Sequence, residues 1–281
     1  MLTTKTKVAL ARMAYEFIST GRLFLGKRDS TIVVRKGIRY HLDLNEGIDF
    51  SIYLLGAFEP STQRTLQKLI KPGNLVLDIG ANIGAHTLAI ANSVGPSGKV
   101  FAFEPADFAF AKLLRNLALN SDLQARTFPQ QILLGAKSTD EPERQIYASW
   151  PLRPDRSVHP KLRGRMVSAK GATVDTLDAF VAGREIPRVD LIKMDVDGHE
   201  LPVLQGASHT VRRFRPTLVM ELSPYIHAEH RHRFSDLVDL LRAADYALTD
   251  VDKNQVVPLD SSYLERNIPD GAGINVVAQP R

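Results

Sequence analysis

The sequence predicts an α/β fold with a doubly wound, mostly parallel sheet, and two observations indicate it. First, Leu75 to Ile79 is an apolar run broken only by Asp78, which is typical of a parallel strand buried on both faces. Second, short apolar strands alternate with helical patterns from Asn74 onward, as in a sheet with helices on both faces. A βαβ unit over residues 74–105 is therefore expected at the centre of the fold.

The N-terminal residues predict an extension of one helix and one hairpin. Residues 5–25 read as an amphipathic helix whose inward stripe is Val8, Ala11, Tyr15 and Ile18. Residues 31–35 and 39–44 alternate as a hairpin does around the turn at 36–37. We expect an extension over residues 1–60 and a main domain over residues 61–281, which opens on a helix capped by Ser61.

The main domain follows a regular alternation. A long, polar and basic segment, about residues 137–172, interrupts it, and a lid and a disordered loop are both consistent with its lack of periodicity. The predicted helices are residues 61–70, 85–94, 108–119, 174–181, 200–211 and 233–244. The predicted strands are 75–79, 100–103, 125–134, 189–194 and 216–222, then an antiparallel pair at 246–251 and 274–278.

The turn after the first strand of the main domain indicates the ligand. Gly80 and Gly84 supply the backbone freedom of a tight turn, and Glu104 ends the next strand, where a carboxylate usually binds ribose hydroxyls. A dinucleotide fits poorly, because the turn has Asn82 at the third position of the phosphate fingerprint and Asp78 would repel a pyrophosphate. A ribose site beside a carboxylate that favours a cation indicates S-adenosylmethionine.

Composition excludes several other classes. The 281 residues contain no cysteine, which rules out disulfides and thiolate metal sites and is compatible with a cytoplasmic location. A formal charge of +5 without a basic block or RNA-binding motif does not indicate a nucleic-acid partner. The N-terminal helix leaves two interpretations open: packing on the domain, or peripheral contact with a membrane or partner. The basic residues that would assist such contact are Lys5, Lys7, Arg22, Lys27 and Arg28.

At these residues the chain resembles the FkbM family of S-adenosylmethionine-dependent methyltransferases, over most of its length from about Gly47. The ordered motifs that carry the resemblance are GAFEP at 56–60, DIGANIG at 78–84, AFEP at 102–105, LIKMDVDGHE at 191–200 with VLQGA at 203–207, and RPTLVMEL at 215–222. Asp197 stands where the family usually has glutamate.

The resemblance implies a seven-stranded, Rossmann-like class I methyltransferase fold. It also implies methyl transfer to oxygen, often on sugars, polyketides or other natural products. The residues expected to bind the cofactor are Asp78, Gly80, Ala81, Asn82, Gly84, Thr87, Glu104 and Pro105. His86 is expected to be a helix-surface or ligand-wall residue rather than a catalyst, and Phe58, Glu59 and Pro60 are expected near the mouth of this site.

The candidate catalytic residues follow the fourth and fifth strands of the main domain. They are Asp195, Asp197, His199 and Glu221, and the first three share a face if the chain there is extended. Two mechanisms compete: a metal-free one with His199 as the base and Asp195 positioning the acceptor, which we favour, and a Mg²⁺ site built from the carboxylates.

The sequence is compatible with two other classes of function, each disfavoured by particular residues. An NAD(P)-dependent oxidoreductase is disfavoured by the turn, and a non-catalytic module that retains the fold is disfavoured by intact Asp78, Gly80 and Glu104. The basic segment raises the hypothesis of an anionic small-molecule or glycan acceptor. Its cations are Arg153, Arg156, Lys161, Arg163, Arg165 and Lys170. The sequence leaves the oligomeric state undecided.

Overall fold

A computed structural model of the chain shows a mixed β-sheet with helices packed on both faces. The structure describes residues 4–139, 145–148, 150–153, 158, 164–230 and 232–281. None of the helices in these residues is long and apolar enough to cross a membrane.

The secondary-structure elements are numbered in chain order. The helices are α1 (Thr4–Phe24), α2 (Gly47–Leu55), α3 (Pro60–Leu69), α4 (Thr87–Val94), α5 (Asp107–Ala118), α6 (Ser121–Gln124), α7 (Leu177–Gly183), α8 (Glu200–Gln205), α9 (Ser208–Phe214), α10 (Pro224–Glu229), α11 (Phe234–Ala243) and α12 (Ser261–Asn267). The strands are β1 (Ser30–Arg35), β2 (Ile38–Asp43), β3 (Leu75–Ile79), β4 (Lys99–Phe103), β5 (Thr127–Gln130), β6 (Ile132–Leu134), β7 (Gln145–Ala148), β8 (Arg165–Ser168), β9 (Thr173–Asp175), β10 (Leu191–Met194), β11 (Thr217–Leu222), β12 (Tyr246–Asp250), β13 (Val256–Val257) and β14 (Ile274–Pro280).

The central sheet has the strand order β13-β12-β14-β11-β10-β3-β4-β5. Strands β11, β10, β3, β4 and β5 pair in parallel, whereas β14, β12 and β13 add antiparallel strands. The doubly wound sheet and its closing antiparallel pair are confirmed. The sheet has eight strands rather than seven, because the two-residue strand β13 pairs with the outer edge of β12.

Strand β3 is buried on both faces, and this explains why its residues are apolar. Leu75, Leu77 and Ile79 belong to the core on one side of the sheet, and Val76 belongs to the core on the other. The order of the parallel strands reverses between β3 and β10, so the connections leave the sheet in opposite directions there. Ligands of open α/β folds bind in the crevice at such a switch point.

Several predicted elements differ from the structure. The strand expected over 125–134 divides into β5 and β6, and Pro129, which lacks an N–H, lies on the sheet's edge strand. The helix expected over 174–181 begins only at Leu177, because Thr176 caps it by accepting a hydrogen bond from the Ala179 N–H at 3.1 Å. The helix expected over 200–211 divides into α8 and α9.

The break between α8 and α9 lies at a close backbone contact. A Cβ atom on Gly206 would lie 2.0 Å from the carbonyl oxygen of Gly135, so only glycine fits there. The helix start predicted at Ser61 is also wrong. Helix α3 begins one residue earlier, at Pro60, whose missing N–H and fixed φ suit the first helical position.

The N-terminal helix and hairpin pack on the main domain. Ala11, Tyr15 and Ile18 contact the core, as predicted, and the Tyr15 hydroxyl donates a hydrogen bond to Asn45 at 2.7 Å. Arg22, predicted to assist an external contact, instead points towards the protein and donates to the Tyr53 hydroxyl at 3.2 Å.

Apolar and aromatic residues of the basic segment line the pocket that is described below. The described arginines of the segment are paired with N-terminal carboxylates: Arg153 with Asp29 at 2.8 Å and Arg165 with Glu46 at 3.1 Å. Arg156, Lys161 and Arg163 lie outside the described residues. The hypothesis of a basic lid therefore stays a prediction.

Candidate active site

A pocket of about 1090 Å³, including the space open to solvent, lies at the carboxyl ends of β3, β4 and β10. Parallel strands bring their C-terminal residues to one edge of a sheet, which is why distant sequence motifs meet there. The residues lining it are Ile48, Phe58, Ile79, Gly80, Ala81, Asn82, Ala85, His86, Phe103, Glu104, Pro105, Ile132, Leu133, Leu134, Ile146, Tyr147, Trp150, Lys193, Asp195, Val196, Asp197, His199, Val203 and His230.

The turn between β3 and α4 forms the floor of the pocket. Gly80 has φ +79°, and a Cβ atom there would lie 1.8 Å from the carbonyl oxygen of Asp195. The turn and the end of β10 are therefore in backbone contact, which any side chain at position 80 would prevent. The φ of Asn82 is also positive, at 49°, and its side-chain oxygen accepts from the Ile83 N–H at 2.9 Å.

Glu104 is held at the pocket wall by two backbone groups. One carboxylate oxygen accepts from the Asn82 N–H and the other from the Ala106 N–H, each at 2.8 Å. Burial raises the pKa of Glu104 to about 7, although both hydrogen bonds oppose the rise. Each oxygen retains a second lone pair, so the carboxylate can accept two further hydrogen bonds.

Asp78 lies beneath the turn and does not line the pocket. It is fully buried, accepts from the Thr87 hydroxyl at 2.6 Å, and lies 3.3 Å from the ammonium of Lys193. The negative charge that we expected to face a cationic ligand is therefore neutralised inside the protein.

Lys193 is the functional candidate that the sequence analysis missed. It is buried and lines the pocket, its ammonium donates to the Gly80 carbonyl at 3.0 Å, and it lies 3.9 Å from a carboxylate oxygen of Asp195. In the sequence, a single lysine within an apolar strand looks like a solvent-facing position. The signal that could have identified it is Asp195, two residues later, because side chains two positions apart along a strand point to the same side.

Asp195, Asp197 and His199 all line the pocket, but the reason given for their proximity is wrong. The chain is not extended after β10, because Asp197 has φ +48° and Gly198 has φ +97°. A tight turn, rather than alternation along a strand, brings the three side chains to the same cavity.

The acidic side chains there hold their protons unusually tightly. Burial raises the pKa of Asp197 to about 8, and the charges of Asp195 and Glu200 add to this rise. Burial also raises the pKa of Asp195, and Lys193 opposes that effect. Removing carboxylates from water disfavours their charged form, and mutual repulsion increases the effect.

His199 is a weak base in this setting. Burial lowers its pKa to about 4, and the adjacent His230, with ring centroids 4.3 Å apart, lowers it further. The ring lies 3.3 Å from the Val196 carbonyl through Nδ1. His199 is consequently neutral at neutral pH.

A second imidazole, that of His86, lines the same pocket. His86 is buried, and neither ring nitrogen has a hydrogen-bond partner in the described part of the chain. Its Nε2 lies 3.9 Å from Glu59, a residue with φ +42° whose carboxylate accepts from Asn275 at 3.0 Å. Burial would raise the pKa of Glu59, but contact with His86 and Asn275 lowers it overall, which favours the carboxylate form.

Glu200 and Glu221 lie outside the residues that line the pocket. Glu200 is buried 3.5 Å from His227, and burial raises its pKa to about 7. Glu221 ends β11, and burial together with the charges of Asp195 and Glu59 raises its pKa well above the usual range. Within the described residues, no group of three or more acidic or histidine side chains has an arrangement that could hold a metal ion.

The structure brings together most of the predicted site residues. Phe58, expected near the mouth, and His86, expected at the helix surface or the ligand wall, both line the pocket. The predicted residues at the pocket are Gly80, Ala81, Asn82, Glu104, Pro105, Asp195, Asp197 and His199. Four predicted residues do not line the pocket: Asp78, Gly84, Thr87 and Glu221. Gly84 belongs to the turn itself. The hydrogen bond from Thr87 to Asp78 joins the helix after the turn to the strand before it.

Comparison with known proteins identifies the family. The profile of the family described as "Methyltransferase FkbM domain" matches residues 78–248, more than half of the chain. This chain belongs to the FkbM methyltransferase family. The match includes the Gly80 turn, Glu104 and the segment after β10, and it gives no support to the oxidoreductase alternative.

Curated relatives share about three tenths of their aligned residues with this FkbM-family chain. The hexuronic acid methyltransferase AglP of Haloferax volcanii is 29% identical over 160 residues, covering 55% of this chain and 58% of AglP. Methyltransferase sdnD of Sordaria araneosa is 31% identical over 159 residues, covering 48% of this chain and 61% of sdnD. The matches therefore span about three fifths of the length of each relative.

A solved structure of methyltransferase FkbM from Methylobacillus flagellatus covers 77% of this chain and 50% of its own, with 17% identity and a TM-score of 0.45.

Proposed function

We propose that this protein transfers a methyl group from S-adenosylmethionine to a hydroxyl oxygen of a sugar or another small natural product. Membership of the FkbM family supports methyl transfer. The observation that carries the choice of methyl donor is Glu104, because it lines the pocket and each of its carboxylate oxygens retains a lone pair that could accept from a ribose hydroxyl.

Different groups of the pocket suit different parts of S-adenosylmethionine. Glu104 would accept the ribose hydroxyls, and the backbone of Gly80 to Asn82 would lie against the methionine part. In their ionised forms, Asp195 and Asp197 would favour the positive charge of the sulfonium, because opposite charges attract strongly in a partly desolvated site. Lys193 holds the turn and β10 together through Gly80 and limits the repulsion among the acidic groups.

When bound, S-adenosylmethionine supplies a methyl group already activated on a positively charged sulfur. The main task of the protein is then to hold the acceptor oxygen in line, an effect that can contribute roughly 7–11 kcal/mol. The walls suit a sugar ring, because Phe58, Tyr147 and Trp150 offer aromatic faces. The name of AglP, a hexuronic acid methyltransferase, makes hexuronic acids and their glycosides the first acceptors to test.

We further propose that His86 takes the proton of the acceptor, with Glu59 stabilising the imidazolium that forms and Asp195 orienting the hydroxyl. A positioned base contributes about 10²–10⁴-fold. The predicted base, His199, has its pKa lowered to about 4 and no carboxylate partner among the described contacts, so it accepts a proton less readily. The test of this assignment therefore compares substitution of His86 with substitution of His199.

Binding and turnover are tested separately. Calorimetry is expected to show binding of S-adenosylmethionine and none of NADH or NADPH, and incubation with hexuronic acids is expected to give a mass increase of one methyl group. Binding without transfer to any hydroxylated acceptor supports the non-catalytic alternative. Binding of a nicotinamide cofactor in its place contradicts the proposal.

The base is tested by variants with similar loss of volume. His86→Ala is expected to lower kcat by about 10²-fold or more and leave the affinity for S-adenosylmethionine within a few-fold, whereas His199→Ala lowers kcat less. The reverse order contradicts the assignment of His86. The preference for a metal-free reaction fails if EDTA abolishes turnover and Mg²⁺ restores it.

A further inference from the structure

The outward face of α1 is apolar and exposed. Leu10, Met13, Phe17 and Phe24 are 53%, 68%, 84% and 88% exposed. Their spacing of three, four and seven residues places them along one stripe of the helix. Single exposed apolar residues are ordinary, but four on one stripe of a helix, two of them phenylalanines more than 80% exposed, indicate an interaction surface.

This stripe is distinct from the side of α1 that packs on the protein. Ala11, Tyr15 and Ile18 point inward to the core. The helix is therefore apolar on two sides, and folding of the described residues covers one of them. Leu23 and Leu25, at 76% and 72% exposed, extend the uncovered surface at the C-terminal end of the helix.

The charge of this region favours a partner with anionic groups. The first 39 residues contain nine of the 36 lysines and arginines of the chain but only two of its 31 acidic residues, Glu16 and Asp29. The remainder therefore has more acidic than basic residues. Of the two acids, Asp29 is paired with Arg153. Lys27 and Arg28 follow the stripe directly and are exposed.

We propose that α1 docks on a membrane surface containing anionic phospholipids, with Leu10, Met13, Phe17 and Phe24 in the interface between headgroups and acyl chains. An apolar helix face combined with neighbouring basic residues is the pattern of helices that lie in this interface. A second copy of the chain is a poorer partner, because a symmetric contact would bring two strongly basic regions together.

The test is co-sedimentation of the full chain with vesicles. Binding to phosphatidylcholine vesicles containing phosphatidylglycerol is expected, with weaker binding to phosphatidylcholine alone and a decrease as salt screens the charges. The double variant Phe17→Ser with Phe24→Ser is expected to raise the vesicle Kd at least about tenfold. Reversal of both Lys27 and Arg28 to Glu is expected to weaken binding to anionic vesicles by about tenfold or more.

Matched controls separate docking from general effects. Val256→Ser removes another exposed apolar side chain, 79% exposed on β13, and Arg212→Glu with Arg213→Glu reverses an exposed basic pair on α9. Both are expected to bind like the wild type. Absence of wild-type binding at low salt overturns the proposal. So does a dimer in solution that the phenylalanine variant converts to a monomer, since a second copy would then cover the stripe. Neither result bears on methyl transfer, so the two proposals fail independently.

Discussion

Replacing Lys193 by methionine tests how the acidic site is stabilised. The ammonium lies 3.3 Å from Asp78 and 3.9 Å from Asp195, and both it and Asp78 are almost completely removed from solvent. At an effective dielectric constant of about 20, these distances correspond to attractions of about 5 and about 4 kcal/mol. Desolvation of the charges cancels much of that gain.

The expected cost of Lys193→Met is nevertheless large, because the substitution leaves buried carboxylates without their cation. Breaking a buried pair in this way costs about 3–5 kcal/mol, against a total stability of about 5–15 kcal/mol for typical domains. The loss should be smaller at about pH 5 than at about pH 8. Burial already raises the pKa of Asp195 and Lys193 opposes that rise, so removing the lysine raises the pKa further and lets protonation relieve the charge at low pH.

Urea unfolding followed by circular dichroism measures this difference, with Lys68→Met on the exposed face of α3 as the control. If the single variant does not fold, recovery of a folded protein in the double variant Asp78→Asn with Lys193→Met is the expected result, because the double variant removes the unpaired buried charge. Where both single variants fold, the double variant should recover at least about 1 kcal/mol relative to the sum of the single losses. A Lys193→Met loss equal to that of the control, or strictly additive losses, would refute the reasoning.

Two further predictions concern cofactor binding and the turn. Glu104→Gln should weaken binding of S-adenosylmethionine by roughly 1.5–3 kcal/mol in calorimetry, with the exposed Glu265→Gln as control. Because burial raises the pKa of Glu104 to about 7, ionisation of Glu104 should increase wild-type affinity about tenfold from pH 6 to pH 8, and the Gln variant should show a correspondingly smaller increase. Gly80→Ala should lower the unfolding free energy by about 2–5 kcal/mol, through strained φ and backbone overlap. Gly183→Ala, which has open space, should not.

The sheet was predictable because burial on both faces leaves a direct trace in the sequence. Strand β3 is apolar at four of five positions. Strands β4 and β10 each end in an apolar residue that is followed directly by an acidic one. Elements decided by a contact between distant residues left no such trace. The division between α8 and α9, for example, depends on the approach of Gly206 to Gly135, 71 positions earlier in the chain.

The position of the site was predictable for the same topological reason, whereas its charge balance was not. Motifs identify carboxylates one at a time, and each seems available to a ligand when considered alone. The structure shows that Asp78 pairs with Lys193, and that the carboxylate beside the His86 imidazole comes from Glu59 and not from the acidic residues that follow β10. Glu59 could be placed near the mouth from its motif, but its pairing with His86 depends on how α3 and α4 approach each other.

The charge arrangement also explains why the acidic groups can coexist without any ligand. Glu104, Asp195, Asp197, Glu200 and Glu221 all have raised pKa values, with burial as the largest cause, so protonation relieves part of their repulsion. A bound cation would relieve the rest and shift these groups towards their ionised forms. Binding of S-adenosylmethionine should therefore release protons near neutral pH. Calorimetry in buffers of different ionisation enthalpy measures that release, and an observed heat that does not depend on the buffer would contradict the coupling.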